Sequence, residues 1–145
     1  MNDRYICRGK RKDNGEWVEG YFCCGNERQT LHDSIFVYDC ETQSFDNYDI
    51  IPETIGQCTG LKDKNGKLIF EGDVVKLTDN NTEWKAYVVF GNPYGEYNWG
   101  WNLMYIGEKP KVNTDILLWV EMEETGAYCE VIGNIHDDDL LEVER

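Results

Sequence analysis

Residues 54–77 read TIGQCTGLKDKNGKLIFEGDVVKL and carry the clearest folding signal in the chain. Strands are predicted at residues 57–61 and 68–70, and the Asn65-Gly66 pair between them supplies the positive φ angles that a tight hairpin turn requires. A second tight turn, Glu71-Gly72-Asp73, leads into a further apolar run. Two sharp corners so close together favour strands that curl around a barrel over strands that lie in an open sheet.

Further hairpins are predicted on both sides of this segment. Asn14-Gly15 joins strands at residues 5–10 and 16–22, and a second hairpin ends at Pro52, which cannot donate to a sheet ladder. Later strands are predicted at residues 85–90, 97–106, 116–122 and 128–135. A short buried helix is the alternative for residues 116–120, since periodicity does not separate the two for so brief a run. The sequence therefore predicts a mostly β fold, a small barrel-like arrangement of antiparallel hairpins with at most short helical turns.

The chain is predicted to be a single domain over residues 1–145, because 145 residues suffice for one hydrophobic core and no linker or low-complexity stretch interrupts them. Within it we expect N-terminal hairpins over about residues 1–52 and a barrel-like part over about residues 53–136. An acidic C-terminal turn is expected over residues 137–145, which begin with three aspartates.

The net charge of −14 is unevenly distributed. Residues 1–12 contain five cations and one acid, a net of +4, which leaves −18 for the rest of the chain. So acidic a body argues against binding duplex nucleic acid, since such binding gains most of its affinity from lysine and arginine on phosphates. The cations able to contact phosphate form a basic arm, which comprises Arg8, Lys10, Arg11 and Lys12, with Lys62, Lys64 and Lys67 as possible additions.

No apolar run is long enough to span a bilayer, and residues 1–4 lead into a polar strand. We therefore expect a cytoplasmic protein with no membrane partner. In the cytosol the six cysteines are expected to be thiols. Buried apolar thiols explain them better than a zinc site does, since no Cys-x-x-Cys spacing occurs.

The order of several short blocks resembles the YopX family. The blocks are residues 8–10 with 15–21, residues 52–67, residues 70–75 and residues 130–135, and they extend from near the first residue to near the last. The resemblance implies a small phage or prophage product with a mostly β fold that self-associates and has no established activity. The chain departs from the usual pattern at Cys58, where an aromatic is common, and at residues 137–139, where a proline is common.

We define the family signature as nine residues, for which a structural role is expected: Gly56, Thr59, Gly60, Asp63, Gly66, Gly72, Asp73, Gly133 and Asn134. The glycines fall where a sharply turning chain needs positive φ or close backbone approach. Asp73 is placed to bond a backbone amide and hold the corner, as Asx turns do.

The sequence gives little support to any catalytic or metal-binding residue. Asp63, Glu71 and Asp73 are better explained as solvent-facing turn residues than as a metal or acid-base site, because no further ligand stands at a fixed spacing. His32 and Cys40 could form a nucleophile-base pair only by meeting in space, which the sequence does not indicate. No catalytic residue, metal or cofactor is predicted.

The densest aromatic cluster follows one predicted strand. Alternation places four of its aromatic side chains on one face, and we call them the aromatic strand: Tyr97, Trp99, Trp101 and Tyr105. Core, subunit interface and a stacking platform for bases are all open readings. Core or interface is favoured, because stacking platforms sit in basic grooves.

Three functions are compatible with the sequence. The leading hypothesis is a non-catalytic phage or prophage accessory protein that binds another macromolecule, a host or phage protein or a second copy of itself. The acidic body suggests an alternative, a decoy that occupies a host DNA-binding protein. The third is weak binding of single-stranded nucleic acid through the basic arm.

Overall fold

A computed structural model of the chain describes residues 5–25, 32–91, 95, 100–107, 114–120 and 127–137. The chain divides into two compact units, Met1–Cys58 and Thr59–Arg145. The described strands pair antiparallel throughout, so the predicted mostly β fold is confirmed. That both units form one domain stays a prediction.

The first unit is built from consecutive hairpins. Its strands are β1 (Cys7–Lys10), β2 (Trp17–Cys23), β3 (Ser34–Asp39), β4 (Ser44–Asp49) and the start of β5 (Gly56–Lys62), with a short 3-10 helix at Pro52–Thr54 before β5. They lie side by side in the order β4-β3-β2-β1-β5. The predicted Asn14-Gly15 turn joins β1 to β2, and Gly15 has the expected positive φ of 71°.

Two isoleucines form the centre of the first unit. Ile35 and Ile50 are completely buried. Gly9 and Gly20 leave room for them, since a Cβ on Gly9 would lie 3.2 Å from the Ile50 Cδ1 and one on Gly20 would lie 2.9 Å from the Ile35 Cγ2. The strands therefore carry glycine where they pass over this core, and the closest approach is at Gly20, where a Cβ would also overlap the Phe36 backbone carbonyl.

The second unit contains the end of β5 and six further strands: β6 (Leu68–Phe70), β7 (Asp73–Asp79), β8 (Thr82–Gly91), β9 (Gly100–Tyr105), β10 (Thr114–Asp115) and β11 (Ala127–Asn134). Five of them form a sheet in the order β10-β9-β8-β7-β11. That sheet ends at β10 and β11 without closing on itself, so the barrel-like arrangement predicted for residues 53–136 is not confirmed. Its core comprises Ile69, Val75, Leu77, Ala86, Val88, Leu103, Ile116, Cys129 and Val131.

The strand predicted at residues 116–122 is wrong where it is described, and the alternative of a short buried helix holds only in part, since Leu117 is exposed. Leu117–Val120 form one helical turn, α1. The Asp115 carboxylate accepts a hydrogen bond from the Leu117 backbone amide at 2.9 Å, as a helix-capping side chain does. Residues 121–126 and most of the predicted acidic turn at 137–145 lie outside the described residues.

Among the described residues, no helix has the length and apolar character needed to cross a membrane.

Candidate functional site

Asp63 of the family signature is a buried hydrogen-bond acceptor. It is 7% exposed. Its Oδ1 accepts the backbone amides of Asn65 and Lys67, both at 2.9 Å, and closes the turn between β5 and β6. Its Oδ2 accepts the Val131 amide of β11 at 2.9 Å. One carboxylate thus holds a hairpin and ties it to the last described strand.

Asp73 has a similar role at the second corner. It is completely buried, and its carboxylate accepts the Phe70 amide at 2.8 Å and the Asn134 side-chain amide at 3.1 Å. Gly72 has a φ of 86°, and a Cβ there would lie 3.3 Å from the Asn134 side chain. The Gly72 carbonyl also accepts the Ile135 amide at 2.8 Å. The corner therefore requires both the glycine and the aspartate.

The other signature residues act through the backbone, by hydrogen bonds to it, by positive φ angles or by strand pairing. The Thr59 hydroxyl donates to the Ile69 carbonyl at 2.8 Å and accepts the Leu61 amide at 3.1 Å. Gly60 and Gly66 have positive φ angles of 80° and 78°. Gly56 pairs with Arg8, and Gly133 follows a register shift in β11.

Neither signature aspartate faces solvent, contrary to the sequence-based interpretation of the turns. Because backbone amides and an asparagine already bond the carboxylates of Asp63 and Asp73, these acids need no metal to satisfy them. In the part of the chain that the structure describes, no three His, Cys, Asp or Glu side chains are grouped to hold a metal ion.

Most cations of the basic arm are engaged inside the first unit. The Arg8 guanidinium and the Lys10 ammonium lie 4.7 and 5.3 Å from the Trp17 ring centroid, within cation–π range. Arg11 bonds the Asp13 carboxylate at 2.9 and 2.5 Å. That hydrogen bond lowers the pKa of Asp13 and raises the pKa of Arg11.

Little of this charge is left for phosphate. Arg8 is only 8% exposed. The Arg11 guanidinium also lies 4.3 Å from the Tyr48 ring centroid. In the second unit, Lys64 lies 3.4 Å from the Glu130 carboxylate. Of the four residues Arg8, Lys10, Arg11 and Lys12, Lys12 is the most exposed.

The aromatic strand is described only in part. Trp101 and Tyr105 pack against the core of the second unit. Trp101 also meets the Phe90 ring edge-on at 4.9 Å. Tyr97 and Trp99 lie outside the described residues. The two described members therefore have core contacts, the first of the readings that the sequence left open.

All six cysteines are free thiols. Cys24 and Cys40 are exposed, whereas Cys58 and Cys129 are buried. Burial, followed by the nearby charge of Asp63, raises the pKa of Cys129 to about 11. A thiol with so high a pKa is a poor nucleophile near neutral pH.

We expect iodoacetamide at about pH 8 to modify Cys24 and Cys40 rapidly and to leave Cys129 unmodified. With a pKa of about 11, roughly one Cys129 thiol in a thousand is ionised at that pH, and burial blocks access to it. Peptide mass spectrometry after timed labelling measures the rates, and labelling in denaturant gives the reference in which Cys129 reacts. Equal rates for Cys129 and Cys24 in the folded protein would contradict the buried position.

A set of half-buried and exposed aromatic side chains in the first unit was not predicted from the sequence. Register places Tyr21 opposite Phe36 and Tyr38 opposite Phe45, and Phe36 and Tyr38 share a face because they are two residues apart on β3. We call Tyr21, Phe36, Tyr38 and Phe45 the aromatic face. Three different strands contribute to it, so no single stretch of sequence reveals it.

The aromatic face is open to solvent. Phe45 is 62% exposed and Tyr38 is 44% exposed, and their ring centroids lie 5.0 Å apart. Tyr21, Phe36 and Phe45 line a shallow depression of about 480 Å³. Clustered exposed rings of this kind mark interaction sites in soluble proteins.

The aromatic face ends at a sheet edge. β4 is the outermost strand, with β3 as its neighbour in the described sheet. The Asp49 carbonyl points away from β3, because it accepts the Lys12 amide at 2.9 Å, and the Ile51 amide points the same way towards the Lys10 carbonyl at 2.8 Å. Backbone groups alternate between the two sides of an antiparallel strand.

By that alternation, Phe45 and Asn47 also direct their backbone amides and carbonyls away from β3. The backbone contacts that cover this side of the chain come from Lys10 and Lys12 and begin only at Asp49. We call the outward backbone groups of Phe45 and Asn47 the open edge. Within the described part of the chain, no strand lies beside it.

The hairpin that carries the open edge is strongly acidic. Residues 33–49 contain five carboxylates and no lysine or arginine: Asp33, Asp39, Glu41, Asp46 and Asp49. Unpaired edges bearing inward or exposed charge resist pairing with like-charged strands. The edge thus combines hydrogen-bonding capacity, exposed rings and negative charge.

The chain was compared with known families and with curated proteins. The family model described as YopX protein matches residues 7–142, nearly the whole chain. No curated protein matches the chain.

Proposed function

Since this chain belongs to the YopX family, whose function is uncharacterised, we propose that it is a non-catalytic phage or prophage accessory protein. It acts in the cytoplasm of a bacterial host by binding another macromolecule through the aromatic face. The observation that carries the proposal is the exposure of Phe45 and Tyr38 beside an apolar depression. Leaving such rings in water is unfavourable, and covering them on binding recovers roughly 25 cal/mol per Å² of apolar surface.

Three groups that could perform chemistry, Asp63, Asp73 and Cys129, support the non-catalytic part of the proposal. The Asp63 and Asp73 carboxylates are taken up by hydrogen bonds within the second unit. Burial raises the pKa of the Cys129 thiol to about 11. These groups are arranged to stabilise the fold.

The nucleic-acid alternative has less support. Arg8 and Lys10 are stacked on Trp17, and Arg11 is paired with Asp13. The exposed rings lie instead beside the acidic hairpin, which repels phosphate. The acidic charge is compatible with the alternative of a decoy that occupies a host DNA-binding protein.

Photo-crosslinking tests the proposal with a matched control. We expect a photoreactive phenylalanine analogue at Phe45 to give one discrete higher-mass adduct in cells that produce the protein. The same analogue at Phe90 is the control, because that side chain is 60% exposed, close to the 62% of Phe45, but lies in the second unit. Mass spectrometry of the adduct distinguishes a second copy of the chain from another protein.

Two results would contradict the proposal. The absence of an adduct from position 45 would remove the aromatic face as an interaction surface. An adduct from position 90 alone would move the surface to β8, beside the described part of the aromatic strand.

A further inference from the structure

We propose that the occupant of the aromatic face is an extended, cationic segment of a protein partner, which adds a strand to β4 at the open edge. This inference rests on the proposed function and identifies the chemistry of the partner. Strand addition obtains affinity from main-chain hydrogen bonds and specificity from alternate side chains. The open edge offers main-chain hydrogen bonds through Phe45 and Asn47. The side chains on the two faces of β4 offer specificity.

Side chains of β4 define what the added strand must carry. Phe45 lies on the aromatic face and lines the depression, so an apolar partner residue opposite it would pack against the exposed Phe45 ring. Asp46 points to the other face, since successive side chains alternate. A lysine or arginine opposite Asp46 forms a favourable cross-strand pair. The partner therefore alternates apolar and cationic residues.

Charge selects a cationic partner over a second copy. A symmetric antiparallel pairing of β4 with itself that uses both open residues sets Phe45 opposite Asn47 and therefore Asp46 opposite Asp46. Like charges directly opposite each other destabilise a sheet. The five carboxylates of residues 33–49 and the net charge of −14 add to this repulsion. The same charges disfavour a nucleic acid.

Binding of a synthetic peptide tests the inference. The probe is a short fluorescent peptide in which valine alternates with lysine, and fluorescence anisotropy measures its affinity for the full chain. We expect saturable binding that weakens with added salt, and no binding of the matched peptide with glutamate in place of lysine. Salt weakens it because the paired charges are partly exposed.

Three variants locate the binding. Asp46→Lys is expected to weaken binding about tenfold, because an attractive cross-strand pair becomes repulsive. Glu83→Lys makes the same change in net charge at an exposed position of β8, and is expected to change affinity less than about twofold. Asn47→Pro removes one outward amide and is expected to weaken binding about tenfold, while edge strands tolerate proline where the amide faces solvent.

A second readout does not depend on the variants. On peptide binding, we expect hydrogen exchange to slow at the amides of Phe45 and Asn47, while the amides of Ser44 and Asp46, which face β3, stay protected throughout. Slower exchange confined to these two outward amides supports strand addition.

The outcomes separate the inference from the proposed function. Equal weakening by Asp46→Lys and Glu83→Lys, or no peptide binding at all, overturns the inference, and an adduct from position 45 then leaves the proposed function standing. Tighter binding of a single-stranded oligonucleotide than of the cationic peptide, or an adduct whose mass is that of two copies of the chain, also overturns it. If the peptide does not bind and position 45 gives no adduct, the inference and the proposed function are both overturned.

Discussion

The Asp63→Ala variant is expected to lose about 4 kcal/mol of unfolding free energy. Alanine leaves three backbone amides without their acceptor, those of Asn65, Lys67 and Val131. Asn65 and Lys67 are exposed, so water compensates part of their loss. Val131 is buried, and an unsatisfied buried amide costs about 1–3 kcal/mol by itself, with more lost when the acceptor was charged.

Urea unfolding followed by tryptophan fluorescence measures this loss. Asp63→Asn is the graded control, because it keeps one acceptor oxygen for the turn while its amide group faces the Val131 amide, and we expect an intermediate loss. Glu83→Ala is the exposed control, expected within about 0.5 kcal/mol of the parent chain. A loss for Asp63→Ala as small as that of the exposed control would show that the carboxylate does not hold the corner.

The Gly20→Ala variant is expected to lose at least about 3 kcal/mol. A Cβ at this position would overlap the Phe36 backbone carbonyl of β3 and crowd the Ile35 side chain. Backbone moves less readily than the end of a side chain, so β2 and β3 must separate.

Gly9→Ala provides the matched control in the neighbouring strand. Its Cβ would meet the end of the Ile50 side chain at 3.2 Å and no backbone atom among its nearest contacts, so small rotations relieve it and we expect a change within about 1 kcal/mol. Urea unfolding of both variants makes the comparison. Similar losses of unfolding free energy at the two positions would mean that β2 and β3 separate as easily as a side chain rotates.

The fold class was predictable because hairpin turns are local. Asn14-Gly15 and Asn65-Gly66 each carry a glycine with positive φ, 71° and 78°, and the Asn-Gly signal for each turn lies within the turn itself. The short helix at Leu117–Val120 was less accessible to prediction. Its cap is a single side chain, Asp115, and a run of five apolar residues has no distinct period.

The contacts of the candidate site were not predictable, since they join strands that are distant in sequence. The acidic turn residues were expected in solvent, yet Asp63 is buried because β11 supplies the Val131 amide. The aromatic face arises from β2, β3 and β4 only in the observed register, which sets Tyr21 opposite Phe36. The positive charge of the basic arm was visible in the sequence. The stacking of Arg8 on Trp17 was not, because it depends on the pairing of β1 with β2.

The long span of the signature contacts sets the order in which the second unit forms during synthesis. The Asp63 carboxylate bonds an amide 68 positions later, and Asp73 bonds a side chain 61 positions later. On the ribosome, the turn between β5 and β6 emerges well before its final partners do, and closing such long loops is slow. Until Val131 and Asn134 leave the exit tunnel, the Asp63 and Asp73 carboxylates lack these distant partners and the contacts to β11 are incomplete. We therefore expect the pairing of β11 to complete this unit, which then reaches its native state late and as a whole.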